Sequence, residues 1–261
     1  MSAWVILGGG YTGGRVAAVL RARGERVVVA RRKAGEGEVA LDLVSGELEA
    51  VMPAGGVVVV TAPPTGAEAR IAQAAERVGV RRIVYVSSTG VYAAAAGAWV
   101  DEDWEVAPAT ASGRARWKAE QEISGDVPCV RLRAAGIYGP GRGAVERMRA
   151  GTFRIVGSGD TAMSRVHVDD LAAAVVLAGD TRDAGSVYNV ADDDPCTTNE
   201  MVAALGIPAP PRVSLDEVDP DVAGMFSADR RIDNRRIKRE LGWMPRFPSW
   251  RTGAGALEST R

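Results

Sequence analysis

Trp4-Val5-Ile6-Leu7 runs without a break into Gly8-Gly9-Gly10-Tyr11-Thr12-Gly13, and Arg15-Val16-Ala17-Ala18-Val19-Leu20 follows. An apolar strand, a G-x-G-x-x-G turn and a helical stretch, in that order, leave few folds open. Gly8 permits the tight turn out of the strand. Gly10 lets backbone N–H groups approach a pyrophosphate, and Gly13 lets the helix pack closely on the strand. The helix N-terminus then offers free N–H donors and a partial positive charge to an anion. The motif therefore predicts a dinucleotide site on Gly8, Gly10, Tyr11, Thr12 and Gly13.

Strand and helix signals alternate beyond it. Strand-like runs are Ala3–Leu7, Arg26–Ala30, Glu38–Leu43, Val57–Thr61, Ile83–Ser87 and Cys129–Leu132, with helical patterns at Gly13–Arg23 and Ala67–Val78. Such alternation means a parallel sheet wrapped by helices on both faces. Val57-Val58-Val59-Val60 is apolar throughout, as a strand buried on both faces should be. After Gly139 the alternation fades. Val168–Ala178 and Thr197–Leu205 read as helices, Val187–Val190 as a strand, Ile207–Gly224 as a proline-rich loop or linker and Arg230–Leu241 as a charged helix. The expected fold class is α/β, a doubly wound parallel (Rossmann) sheet with a small C-terminal cap. Residues 1–165 would form mainly the dinucleotide-binding domain, and residues 166–261 would complete the sheet and add the cap.

At 261 residues the chain is long enough to bury about three quarters of its unfolded surface without staples. Lys and Arg number 32 against 33 Asp and Glu, which argues against a nucleic-acid surface. No run of eighteen apolar residues and no signal-peptide pattern is visible, so the reading is a soluble, cytoplasmic protein with no membrane partner. Cys129 reads as a small core residue, and Cys196 lies in a polar loop where it could be exposed. A single histidine, His167, excludes a His-rich metal site, and no metal is expected.

The residue after the second strand selects the coenzyme. NAD sites usually carry an acid there and NADP sites an arginine. Here Val27-Val28-Val29 is followed by Ala30-Arg31-Arg32-Lys33 with no acid at the tip, which predicts NADP, with NAD as the alternative. Asp42 is a candidate partner for the adenine amino group or a turn aspartate. Ala62 and Pro63 follow the fourth strand and would line the passage.

Gly8–Gly13, Tyr85-Val86-Ser87-Ser88-Thr89-Gly90-Val91-Tyr92, Ala135-Gly136-Ile137-Tyr138-Gly139-Pro140-Gly141-Arg142 and Arg165-Val166-His167-Val168-Asp169-Asp170-Leu171 together resemble the short-chain dehydrogenase/reductase superfamily in its extended, epimerase/dehydratase-like branch. Tyr188-Asn189-Val190-Ala191-Asp192 and the closing helix from Asn234 to Leu241 look like the same branch. The resemblance implies that Ser88 donates a hydrogen bond to the substrate oxygen, with Ser87 beside the coenzyme. It also implies a Tyr-x-x-x-Lys pair on the next helix, and that pair is missing. The helix reads Thr110-Ala111-Ser112-Gly113-Arg114-Ala115-Arg116-Trp117-Lys118-Ala119-Glu120. Aligned on Ala119-Glu120, Ser112 takes the tyrosine place and Arg116 the lysine place. A shift of two residues pairs Arg114 with Lys118. Arg116 could hold the ribose but stays protonated.

Substitute proton donors are Tyr92, Tyr138, Asp101, Glu102 and Asp103. Three readings follow: an NAD(P)-dependent oxidoreductase or epimerase acting on a small carbonyl or hydroxyl substrate, a redox-neutral isomerase, cyclase or lyase, or a non-catalytic NADP(H) sensor. His167 matches a structural histidine of the family. Arg165 matches an arginine that binds substrate phosphate in nucleotide-sugar members, and is read as a pocket-edge residue. Arg142 either reaches an anion or caps a helix, and Trp243 and Trp250 pack the cap on the core. The family's pairing through two long helices implies a homodimer. A small cap implies a small or partly exposed substrate more than a full nucleotide sugar.

Overall fold

The computed structural model describes residues 2–181, 185 and 187–258. The chain opens with β1 (Ala3–Leu7), α1 (Tyr11–Ala22), β2 (Arg26–Arg31), β3 (Val39–Ala40), β4 (Val57–Val60), α2 (Glu68–Val78) and β5 (Arg82–Ser88). Next come β6 (Trp99–Val100), α3 (Ala111–Glu122), β7 (Cys129–Ala134), β8 (Gly136–Tyr138), α4 (Ala144–Arg149), β9 (Ile155–Val156), β10 (Arg165–His167) and α5 (Val168–Asp180). The last third carries β11 (Val187–Val190), α6 (Thr198–Leu205), β12 (Arg212–Val213), α7 (Pro220–Ser227), β13 (Arg231–Ile232), α8 (Arg235–Leu241) and α9 (Trp250–Glu258).

Seven parallel strands form the main sheet in the order β11-β7-β5-β4-β1-β2-β3. The expected Rossmann architecture is present. β1 lies between β2 and β4, with Leu7 opposite Ala30 on one side and Val60 on the other. Strand order reverses there, so the carboxyl ends of β1 and β4 open a crevice.

The strict alternation of side chains along a strand explains the two apolar layers. Trp4, Ile6, Val57 and Val59 join α1, α5 and Trp243 on one face. Val5, Leu7, Val58 and Val60 join α2, the α3 residue Ala119 and Ile123 just past the end of α3 on the other. Trp243 is sealed in the first layer and its Nε1 donates to Asp170 O at 3.0 Å. Trp250 packs instead in a separate cap cluster with Tyr138, Met148 and Met201. No helix among the described residues is long and apolar enough to cross a membrane.

The cap is stitched from segments far apart in sequence. β6 pairs with β13, β8 with β10, and β9 with β12. This departs from the sequence reading in three places. The expected loop at 207–224 contains β12 and the start of α7, because Asp219 caps the helix by accepting from Asp221 N at 2.9 Å and Pro220 sits in its first turn. Proline suits that position because the N–H it lacks has no helical partner there. The charged helix begins at Arg235 rather than Arg230, because Arg231 and Ile232 are drawn into pairing with Trp99 and Val100. The third strand shrinks to Val39–Ala40, and Asp42 just beyond it takes the N–H groups of Val44 and Ser45 at 2.8 and 3.2 Å.

A Cβ on Gly13 would lie 1.9 Å from Gly8 O, a backbone atom that cannot swing away. Gly13→Ala is expected to destabilise the protein by about 1–3 kcal/mol or more, read by urea unfolding. Gly14→Ala, one residue on with open space around its Cα, is the control and should cost nothing.

Candidate active site

The glycine turn is built by contact. Gly8 holds φ at +114°, and a Cβ on it would lie 2.5 Å from Ala62 N. Thr61 Oγ1 donates to Gly8 O at 2.5 Å and ties the end of β4 to the turn. Gly10 is the N-cap of α1. No side chain caps it, and the first turn of α1 carries no acid. A Cβ on Gly10 would meet nothing within 4 Å. The N-terminal N–H groups of α1 thus face open space at the crevice. A cleft of about 430 Å³ runs from Gly10, Tyr11, Thr12 and Gly13 past Thr61 and Pro63 to Ser87, Ser88 and Arg116. These residues fit the phosphates and ribose of a dinucleotide: uncapped amides, no acid in the helix's own first turn, and a clear approach.

Arg31 stands beside the turn, with Nη1 donating to Gly9 O at 2.9 Å. Glu38 returns from the β2–β3 connection to meet it, Oε2 lying 3.6 Å from Arg31 Nε and accepting from Gly35 N at 2.7 Å. The tip of β2 carries no acid in sequence, yet folding delivers one. Arg32 and Asp42 are exposed, and the Asp42 carboxyl is held below the usual range by the Val44 and Ser45 amides.

At the far end of the cleft, Ser88 Oγ accepts from Gly90 N at 3.1 Å. Arg116 Nη1 donates to Val86 O at 3.0 Å and to the Tyr85 hydroxyl at 3.3 Å. Its guanidinium therefore lies along the cleft wall where the family resemblance places a lysine. Beneath, Glu120 is fully buried and receives Ser87 Oγ, Arg133 Nε at 3.1 Å and Arg133 Nη2 at 2.8 Å. Ser87 is thereby fixed, and Ser88 with it. This buried pair was not singled out from the sequence, where a glutamate on α3 and an arginine on β7 look like ordinary surface charges.

Beyond Ser88 a second cavity of about 310 Å³ opens. Ser88 and Ala135 line both spaces. Ser112 lies on this cavity with its Oγ 3.4 Å from Thr110 Oγ1. The amides of Ala111 and Ser112 donate to the Asp221 carboxylate at 2.8 and 2.9 Å, so α7 caps α3 across the cavity mouth. Asp221 and Arg230 on the wall were also missed, since both come from the segment read as loop and helix.

Several other candidates are elsewhere. The Tyr138 hydroxyl donates to Ser249 O at 3.3 Å and its ring meets His167 edge-on, away from Ser88, where burial pushes its pKa up. Tyr92 donates to Asn189 Oδ1 at 2.7 Å under the Arg133 guanidinium, and burial pushes its phenol up to about 12. Glu102 is buried and accepts from Asn189 N at 2.8 Å, whereas Asp101 and Asp103 are exposed. His167 caps α5 by accepting from Asp169 N at 3.2 Å, packs 4.0 Å from the Phe247 ring and is pushed down by burial. Arg165 turns inward to Met163 O and Cys196 Sγ at 2.8 and 3.2 Å. Cys196 is buried rather than exposed, because the Met163–Cys196 bridge folds its loop onto β10. Arg142 lines the first cleft over the Tyr11 ring. Among the described residues no cluster of His, Cys, Asp and Glu could hold a metal ion.

Residues 64–191 match the model of the NAD dependent epimerase/dehydratase family. A 3-diazoavenalumate denitrifying reductase from Streptomyces sp is 30% identical over 217 residues, covering 73% of this chain and 69% of that protein. A UDP-glucose 4-epimerase from Mycolicibacterium smegmatis is 32% identical over 197 residues, covering 67% of this chain and 61% of that protein. Among solved structures, a conserved protein of unknown function from Silicibacter pomeroyi is 30% identical with a TM-score of 0.84, covering 100% of this chain and 99% of that one.

Asp192, 1% exposed with Oδ2 lacking a hydrogen bond among the described residues, has its carboxyl pushed from 3.8 up to about 8 by burial. The folded state binds this proton more tightly than the unfolded state. Its contribution is full below pH 3.8 and is lost as pH rises toward 8. Asp192→Asn is expected to melt above wild type at pH 8, with the gap closing toward pH 4, in thermal unfolding followed by circular dichroism.

Proposed function

The chain belongs to the NAD dependent epimerase/dehydratase family, and on that premise we propose that it is an NADP(H)-dependent oxidoreductase acting on the carbonyl or hydroxyl group of a small molecule. The observation that supports this most is the meeting of the two cavities at Ser88. The coenzyme supplies the hydride donor or acceptor when bound. The N–H groups opening α1 hold its pyrophosphate, Arg31 and Arg32 take the 2′-phosphate, and Arg116 holds the ribose. Arg116 keeps its charge throughout, so it anchors and does not carry a proton.

Ser88 donates a hydrogen bond to the substrate oxygen. The second cavity has no phenol on its wall among the described residues, so the proton reaches that oxygen from solvent along the Ser88 and Ser112 hydroxyls. A hydroxyl that only relays a proton is less effective than a tuned acid, and turnover slower than in relatives with the tyrosine follows from it. Among the described residues the cavity carries a single cation, Arg230, too few for a nucleoside diphosphate. That favours a small substrate over a nucleotide sugar.

Deuterium at the transferred position of NADPH should appear in the alcohol product when aldehydes are offered. Full retention in the coenzyme through turnover would remove the oxidoreductase reading. Ser88→Ala should lower kcat/KM by about 10²-fold, the effect of losing one donor to a developing oxyanion. Fluorescence titration should show tighter binding of NADPH than NADH. Arg31→Ala should lose roughly tenfold for NADPH and little for NADH. Glu38→Gln should tighten NADPH, since it removes the carboxylate beside Arg31. Equal affinity of the wild type for both coenzymes would overturn the NADP preference.

A further inference from the structure

Resting on the reading of the second cavity as a substrate site, we propose that Arg230 binds a single carboxylate on a substrate whose body is otherwise apolar. Arg230 lies half-buried on the cavity wall and is the one cation there among the described residues. Its Nη1 donates to Thr89 O at 3.0 Å and to Tyr92 O, two carbonyls of the turn that follows Ser88. Those bonds fix the guanidinium plane. They leave Nε and Nη2 without an acceptor among the described residues, and neither atom is sealed from solvent. Nε–H and Nη2–H form the parallel fork that fits the two oxygens of a carboxylate.

No acid of the described chain pairs with this cation. Asp221, the one acid on the wall among the described residues, is already engaged with the Ala111 and Ser112 amides. Burial lowers the pKa of Arg230 with only the Tyr92 phenol acting against it, as expected for a charge lacking a counter-ion. An unmatched charge of this type is costly unless an anion completes it. Much of the remaining wall is apolar, with Met163, Val222, Met225 and Ile232. One fork beside such a surface suits one carboxylate on a hydrocarbon or aromatic frame, with the reacting oxygen at Ser88. A phosphate monoester would bring a second negative charge with nothing to meet it.

The test is titration calorimetry with 4-formylbenzoate, its neutral isostere 4-formylbenzamide and 4-formylphenyl phosphate. Wild type should bind the benzoate at least roughly tenfold more tightly than the amide, the scale of one charge-assisted pair, and more tightly than the phosphate. Arg230→Gln should bind benzoate and amide alike. Equal binding of acid and amide by wild type, retention of the preference in R230Q, absence of binding by all three, or tighter binding of the phosphate would each overturn the proposal. The comparison on wild type stands even if R230Q, which also loses the Thr89 and Tyr92 contacts, fails to fold. NADPH binding is followed in the same samples. Its loss would end the coenzyme reading, whereas the acid–amide comparison needs no turnover and is judged by itself.

Discussion

The backbone of α1 rests against the end of β1 with no side chain between them, and the functional architecture depends on that approach. Gly13 faces Gly8 O at a distance no Cβ could share, and Thr61 reaches the same carbonyl from β4. The contact aims the uncapped helix end at the crevice where strand order reverses. Moving α1 outward by the thickness of a methyl group would carry its amides away from the crevice. Packing here decides chemistry, because dense interiors transmit a displacement of that size instead of absorbing it.

A second constraint is electrostatic. Glu120 and Arg133 lie under the carboxyl end of β5, joined to each other and to Ser87. A buried pair of this kind contributes little net stability against an apolar alternative, but its geometry is strict. It locks α3 to β5 and β7 and so sets where Ser88, Ser112 and Arg116 stand. With serine and arginine in the places of the family's tyrosine and lysine, the proposed function keeps an anchor for the ribose and a donor to the substrate, and exchanges a tunable acid for a solvent-linked hydroxyl.

The glycine turn, the buried strands and the helix beginning at Val168 were legible because each carries its signal within about a dozen residues: a fixed spacing, an unbroken apolar run, or a 3.6-residue period. The cap was harder. Its strands are two or three residues long and pair across more than a hundred positions, as Trp99–Val100 does with Arg231–Ile232. Such pairs leave no periodicity to read. Tyr138 illustrates the limit at the site. It follows the correct strand for a catalytic phenol, yet β8 leaves the main sheet to pair with β10, and its hydroxyl ends against Ser249.

Local sequence alone determined that the chain forms a parallel α/β sheet, that its first turn can admit phosphate, and that the customary tyrosine is absent. Each follows from residues within one turn or one helix. Tertiary structure decided what stands opposite what. Glu38 meets Arg31, Asp221 caps α3 across the cavity mouth, and Arg230 arrives beside the turn after Ser88 with its fork free. These pairings come from loops and cap segments whose paths are set by long-range packing, and charges separated by tens to hundreds of residues acquire a relation only once that packing brings them within reach.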